Sequence, residues 1–413
     1  MRNSGVSIWC DEIFALYSSK PVVDKYKGDG IAVHIYTKEK YKKHASSYLG
    51  LEPSNVISIE DIDSRLLYVL HRLIVVLCVA SSFSPMYNHI MRRQTRRILV
   101  QCNKFSPFKI DRENINKFYF IFFNLFAGHR IRTKKLISFS LVEKPYLIAS
   151  KKISHIKIME SWDHPVKVPH LCQPNIFLTW NNALKEDSKK YQCYKRTSFI
   201  RPLKFSYIYN LGGESDSDIF AEIKKDSYRR ELIKLEGKDM ILYPVSISSR
   251  NKEEHLGELA FIENLINYVE NSSRTLYIKP KPNGVLGDYD CFAGRKNVII
   301  GMYSNDSSSL DMLDDDYHRF RYLLLKKSVL VVNTYTTFAL EAALMDKPIL
   351  QLNLKGENFG IYPRYAINPH ISKYFLTEFA MDYYGEDKEI DCLIEHENTV
   401  RFSRYLKNWV LNR

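Results

Sequence analysis

Short runs of β-branched and aromatic residues alternate along this chain with longer amphipathic stretches, and that order sets the expected fold. Gly30–Thr37 reads as a strand, Lys38–Tyr48 as a helix and Asn55–Ile59 as a second strand. Leu66–Ser82 is apolar nearly all round and predicts a largely buried helix, and Arg97–Gln101 predicts another strand. Six aromatics crowd Lys117–Ala127, where a helix packed in a core explains them better than a ligand-stacking surface. Strand-like Ser138–Ile148 and Ile156–Met159 complete a wound first half.

The run Leu-Gly-Gly-Glu-Ser-Asp-Ser-Asp-Ile over Leu211–Ile219 is the clearest turn-rich interruption, and a domain junction is placed in it. Asp218–Leu235 reads as a charged helix. Strands follow at Met240–Val245, Thr275–Lys279, Asn297–Ile300, Val329–Val332 and Pro348–Leu352, with helices at Leu256–Glu270 and Phe338–Met345. Such alternation predicts parallel sheets and an α/β class. The expected organisation is a Rossmann-like domain over 1–218, a second over 219–385, and a helical segment over 386–413 that packs back on the first. The two wound halves are expected to face each other across a central crevice lined by the carboxyl ends of their strands, the default place for a ligand.

The length of 413 residues supports this division, since one core rarely grows beyond about 250–300 residues. A formal charge of +13 predicts attraction for anions, although a generally lysine-rich, solvated surface accounts for it equally. Seven cysteines, odd in number and without a Cys-x-x-Cys pair, read as free thiols in a reducing compartment. The first twenty residues lack the continuous apolar stretch of a signal peptide, and the apolar Leu66–Phe83 is interrupted by His71 and Arg72. A cytoplasmic protein is expected. Arg92, Arg93, Arg96, Arg97, Arg130, Arg132, Lys134 and Lys135 would let it touch the anionic inner face of a membrane.

The most informative stretch is Val331–Leu352, in which an apolar strand ends at Asn-Thr-Tyr-Thr-Thr and opens a helix. Backbone N–H groups and the hydroxyls of Thr334, Thr336 and Thr337 suit a phosphate there, with Glu341 one turn further in and placed to accept from ribose hydroxyls. A plain threonine cap with a solvated glutamate fits the same residues. Phosphate-loop, dinucleotide, zinc-protease and hydrolase signatures are absent. Asp-x-Asp pairs occur, as at Asp61-Ile-Asp63 and Asp216-Ser-Asp218, but such pairs are frequent by chance and neither of these stands at a strand end of the second half, so no metal or other cofactor is expected.

The Thr-Thr-x3-Glu-Ala-Ala-x-Met-Asp-Lys-Pro-Ile pattern resembles the nucleotide-binding segment of GT-B glycosyltransferases and of the related CDP-glycerol glycerophosphotransferases. Met-Glu-Ser-Trp-Asp-His from Met159, with the later Trp180-Asn181, resembles bacterial surface-polysaccharide transferases of that class, with His164 where the pattern has Asn. The resemblance implies a donor seated mainly on the second domain and an acceptor on the first. Lys279 and Lys281 then match a turn that approaches the donor phosphates, although Lys281 replaces a histidine. Asp163 or His164 is the candidate base for an acceptor hydroxyl, against a loop merely tied to the sheet by Ser161, Trp162 and Asp163, and His370, which follows the last strand of the second half, either approaches the donor from a loop or is a surface or packing histidine.

The implied activity is metal-independent transfer of a sugar from a nucleotide-sugar to a glycan or lipid-linked glycan acceptor, with no nucleic acid as partner. Transfer of a polyol phosphate from a CDP-polyol, 2-epimerisation of a UDP-sugar, and a non-catalytic basic adaptor are the other readings.

Overall fold

A computed structural model describes residues 3–70, 123, 131–139, 147–148, 152–161, 174–191, 194–245, 252–281, 287–302, 310–334, 336–355, 359, 373–385 and 387–411. Their contacts divide the chain into two compact units, Met1–Lys204 and Phe205–Asn412. The turn-rich run at 211–219 therefore lies inside the second unit, between two of its helices.

The first unit is built on seven parallel strands, β1 (Asn3–Cys10), β2 (Ala32–Thr37), β3 (Val56–Ser58), β4 (Thr133–Phe139), β5 (Ser154–Ile158), β6 (Ile176–Thr179) and β7 (Arg196–Phe199). Their order is β3-β2-β1-β4-β5-β6-β7, so the winding reverses between β1 and β4. Helices α1 (Ile13–Gly28) and α2 (Lys42–Leu49) belong to its first crossovers and α3 (Asn182–Tyr191) to its last. Central strands buried on both faces need apolar side chains at successive positions, and Val6, Ile8, Trp9 and Cys10 of β1 are all buried. Trp9 stacks on Tyr36 with ring centroids 5.9 Å apart, in a core that also holds Leu136, Ile153 and Phe123. Phe123 is the described member of the aromatic segment, and it is core.

Of the strand-like stretch expected at Ser138–Ile148, Ser138 and Phe139 end β4, which begins earlier, at Thr133, and residues 140–146 lie outside the described set. The amino end of β4 carries Lys134 and Lys135 before the buried Leu136 and Ile137, so polar residues at the mouth of the sheet hid its start. Leu67 of the helix expected over Leu66–Ser82 is buried while Leu66 and Val69 are exposed, and residues from 71 onward lie outside the described set, as does the strand expected at Arg97–Gln101.

The second unit repeats the winding with six parallel strands, β8 (Met240–Pro244), β9 (Thr275–Lys279), β10 (Val298–Ile300), β11 (Ser328–Asn333), β12 (Ile349–Leu354) and β13 (Met381–Tyr383). Their order is β10-β9-β8-β11-β12-β13, with the reversal between β8 and β11. Every residue of β8 and β9 is buried, which is why both strands read as continuous apolar runs. Around this sheet lie α4 (Ser206–Leu211), α5 (Asp216–Glu222), α6 (Asp226–Lys234), α7 (Lys252–Glu270), α8 (Asp315–Lys327), α9 (Phe338–Leu344), α10 (Asp387–Ile394) and α11 (Asn398–Leu411). The charged helix expected over 218–235 is two helices, because the backbone is extended at Ile223 and at Lys225 and the amides of Lys224 and Lys225 donate to Asp316 instead of continuing the helical ladder. Helix α11 packs on α9 and β12.

Candidate functional site

Ligands of wound sheets collect at the carboxyl ends of the strands near the reversal. In the second unit those ends are Val245 after β8, Lys279 at the end of β9 and Asn333-Thr334 at the end of β11. Lys279 is only 9% exposed. Its Nζ lies 5.9 Å from the ring centroid of Tyr317 and 5.6 Å from that of Phe338, the first residue of α9. Burial lowers its pKa and the nearby Arg321 charge lowers it further, while Tyr317 and Glu341 act the other way.

Arg321 reaches the same rings, 4.8 Å from Phe338 and 6.0 Å from Tyr317. Its Nη2 donates to Glu341 Oε1 at 2.5 Å, and the Tyr207 hydroxyl of α4 donates to Glu341 Oε2. His318 packs 5.1 Å from the Tyr207 ring and its Nε2 lies 2.8 Å from the Met312 carbonyl; burial pushes its pKa down to about 3, so it is neutral at ordinary pH. Among the described residues the cluster thus holds two cations, the buried Lys279 and the partly buried Arg321, against one carboxylate. Such a surplus of buried positive charge is stabilised by an anionic ligand.

The Thr-Thr turn is built differently from the sequence expectation. Asn333 Oδ1 accepts from both the backbone N–H of Thr336 (3.2 Å) and its hydroxyl (2.5 Å), while Asn333 Nδ2 donates to Gln351 Oε1 and Gln351 Nε2 donates to the Thr334 carbonyl. Thr334 is buried, and Thr337 occupies the N-cap position without its side chain capping the helix. Two donors assigned to phosphate are therefore used within the turn. Glu341 is 4% exposed and paired through both oxygens, so the picture of a solvated glutamate behind a threonine cap does not hold. Lys281, two residues past β9, is exposed. Asp216-Ser-Asp218 opens α5, where Ser215 caps the Asp218 amide and Asp216 pairs with Lys326.

Tyr207, Tyr317 and Arg321 were not singled out from the sequence. Helix α8 carries two of them and was legible: Asp314 caps Asp316, acidic residues fill the first turn, Lys326 and Lys327 the last, and Tyr317, Phe320 and Leu324 recur at helical spacing.

In the first unit, Asp163 and His164 lie outside the described residues, as does His370 in the second. The strand that leads to Asp163 and His164 ends at Ile158, and the carboxyl edge of this sheet carries two buried carboxylates that the sequence reading passed over, Asp11 after β1 and Glu160 after β5. Burial raises the Cys10 thiol pKa, and the charges of Asp11 and Glu160 raise it as well, which puts both carboxylates within electrostatic range of the end of β1. Trp9 Nε1 donates to Asp11 Oδ2 at 3.2 Å. The Trp-Asn pair is structural here: Trp180 Nε1 donates to the Met159 carbonyl at 2.9 Å and Asn181 Oδ1 caps α3 by accepting from the Leu184 amide.

No protein-family model and no curated sequence matches the chain. Solved structures do. The Staphylococcus aureus MnaA–UDP co-structure is similar with a TM-score of 0.54 at 9% identity, over 100% of this chain and 93% of that one. Methanocaldococcus jannaschii UDP-GlcNAc 2-epimerase in complex with UDP-GlcNAc and UDP gives 0.53 at 10% identity over 98% of each chain. A UDP-N-acetylglucosamine 2-epimerase structure from Listeria monocytogenes gives 0.51 at 12% identity, over 99% of this chain and 94% of that one. At such identities the likeness is one of fold: two Rossmann-like domains of GT-B type, each with the wound parallel strand order given above.

Proposed function

We propose that the chain binds a nucleotide-activated sugar on its second unit and transfers the sugar to a surface-polysaccharide or lipid-linked glycan acceptor, without a metal. The observation that carries the donor half is the Lys279–Arg321–Glu341 cluster at the carboxyl edge of the second sheet, with Lys279 and Glu341 buried, where positive charge exceeds negative among the described residues. Lys279 offsets the charge that develops on the leaving phosphate, in the way a preorganised cation stabilises a transition state. The acceptor hydroxyl loses its proton to a base of the first unit, Asp163 or His164, beyond the strand end that also carries Glu160. The Thr334–Thr337 turn, Glu341, Lys281 and His370 complete the proposed donor side.

The solved structures of similar fold support a second reading, 2-epimerisation of a UDP-sugar, because the Methanocaldococcus protein is a UDP-GlcNAc 2-epimerase. Thermal-shift titration with UDP-, GDP-, CDP- and CMP-linked donors, with and without magnesium, tests the donor site. A shift with one nucleotide in the absence of magnesium is expected. Absence of a shift with every donor would overturn both readings. Product analysis then separates them: conversion of the sugar with no acceptor present belongs to the epimerase, and a new glycosidic bond to the transferase. A phosphodiester product with CMP released would mark polyol-phosphate transfer instead.

A further inference from the structure

Tyr317 stands one turn before Arg321 on α8 and faces Lys279 across the end of β9. It is 7% exposed, and its hydroxyl is buried with no hydrogen-bond partner among the described residues. The Lys279 ammonium likewise has no carboxylate paired with it among them; its neighbours are the Tyr317 and Phe338 rings, while both oxygens of the nearby Glu341 are engaged by Arg321 and Tyr207. Buried polar groups are nearly always satisfied, so a buried hydroxyl whose proton has no acceptor among the described residues, beside an ammonium with no carboxylate of its own there, marks a place for something that brings both acceptor atoms and negative charge. A phosphate oxygen brings both. A neutral sugar hydroxyl leaves the ammonium uncompensated.

We propose that the Tyr317 hydroxyl and the Lys279 ammonium form one subsite for the sugar-bearing phosphate of the donor, the hydroxyl donating a hydrogen bond and the ammonium supplying charge. This rests on the nucleotide-sugar reading. When the bond between the sugar C1 and the phosphate oxygen breaks, the electron pair stays on that oxygen, and Tyr317 steadies it while keeping its own proton. The acceptor oxygen forms the new bond to C1, and its proton passes to the base of the first unit.

Tyr317→Phe keeps the ring against Lys279 and removes only the hydroxyl, so the variant is expected to fold and to melt at or above the wild-type temperature. Calorimetric titration is then made with UDP, GDP and CDP and with uridine, guanosine and cytidine. The expected result is unchanged nucleoside affinity and a diphosphate affinity lower by about ten- to a hundred-fold, the range for a hydrogen bond to a charged group. Diphosphate binding by the wild type should weaken as pH rises through the Lys279 pKa. The groups facing Lys279 are Tyr317 and Arg321 of α8 and Glu341 of α9, and because Tyr317 raises that pKa, the limb should move to lower pH in the variant. A tyrosine that merely fills space would move neither quantity. Equal diphosphate affinity in variant and wild type overturns the subsite and leaves the donor reading standing. Loss of nucleoside binding in the folded variant also overturns the subsite, because the hydroxyl then acts elsewhere than on phosphate. A wild type that binds none of the six compounds overturns the donor reading and the subsite with it.

Discussion

The carboxylate of Glu341 is gripped from two sides, by the guanidinium of Arg321 and the hydroxyl of Tyr207, and that grip sets what substitution there should do. Removing one partner of a buried ion pair strands the other, at a cost of about 3–5 kcal/mol. Glu341→Gln is therefore expected to lower stability by that amount in chemical denaturation, whatever its effect on donor binding. A loss below about 0.5 kcal/mol would show the pair to be solvated. Two buried histidines make a second prediction, one in each unit. Burial lowers the pKa of His155 and of His318 to about 3, so both stay neutral in the folded chain, while in the unfolded chain each takes up a proton near pH 6.5. Their folded pKa values lie below the unfolded ones. The unfolded state thus binds more protons between those values, and stability falls as pH drops from about 6.5 towards 3, by roughly 1.4 kcal/mol per pH unit for each histidine. His155 also holds Ser138 through Nε2 at 2.7 Å, so His155→Gln should reduce the acid slope more than it reduces stability at pH 8. Denaturant titrations between pH 4 and pH 8 read this directly, and parallel slopes for variant and wild type would refute it.

Helix α7 offers a test in which local propensity and packing disagree in sign. An alanine in a helix interior is ordinarily better than a glycine by about 1 kcal/mol. At Gly257 a Cβ would sit 2.1 Å from the carbonyl oxygen of Phe359, a backbone atom that cannot swing away. Phe359 is itself locked against Phe261 and Tyr383. Gly257→Ala should therefore destabilise by about 1–3 kcal/mol, the usual cost of overpacking, and an increase in melting temperature would mean that the helix can slide. The same contrast between local pattern and tertiary demand decides how much could be read from the sequence. Strand β9 was placed at its true ends, Thr275 and Lys279, because five successive buried residues precede a proline. The Val331–Leu352 segment was recognised as strand, turn and helix for the same reason, yet the jobs of its polar residues were not legible. Whether Thr336 serves a ligand or its own turn depends on Asn333, whose amide is aimed by Gln351 from the neighbouring strand. Glu341 was legible as a residue one turn into the helix, but Tyr207, which holds it, comes from 134 residues away. In the first unit the edge strand β7 alternates exposed and half-buried positions and gives little apolar signal, whereas β1, buried over Val6–Cys10, carries the near-continuous apolar signal of a central strand.

At the scale of the whole molecule, the two sheets wind in the same order around their reversals, and each carries its own buried polar groups at the carboxyl edge: Lys279 and Glu341, with the partly buried Arg321, in the second unit, Asp11 and Glu160 in the first. The charge type differs between them. Cations suit the phosphates of a donor, and carboxylates suit proton transfer at an acceptor or at a sugar carbon. The formal charge of +13 adds a long-range attraction for a polyanionic ligand that salt should screen, whereas the buried cluster is shielded from salt by the protein around it. Raising the ionic strength from about 0.05 to 0.5 M shortens the Debye length from roughly 14 to 4 Å. Under the proposed donor site, association of the nucleotide-sugar should slow several-fold over that range while its dissociation rate changes by less than about two-fold, measured by stopped-flow with a fluorescent donor analogue. A non-catalytic basic surface would behave otherwise, because affinity built from exposed lysines and arginines is lost mainly through faster dissociation and scales steeply with salt. If dissociation of the donor analogue accelerated ten-fold or more at high salt, the bound phosphate would be sitting on the exposed basic surface, and the buried Lys279 cluster would not be where it is held.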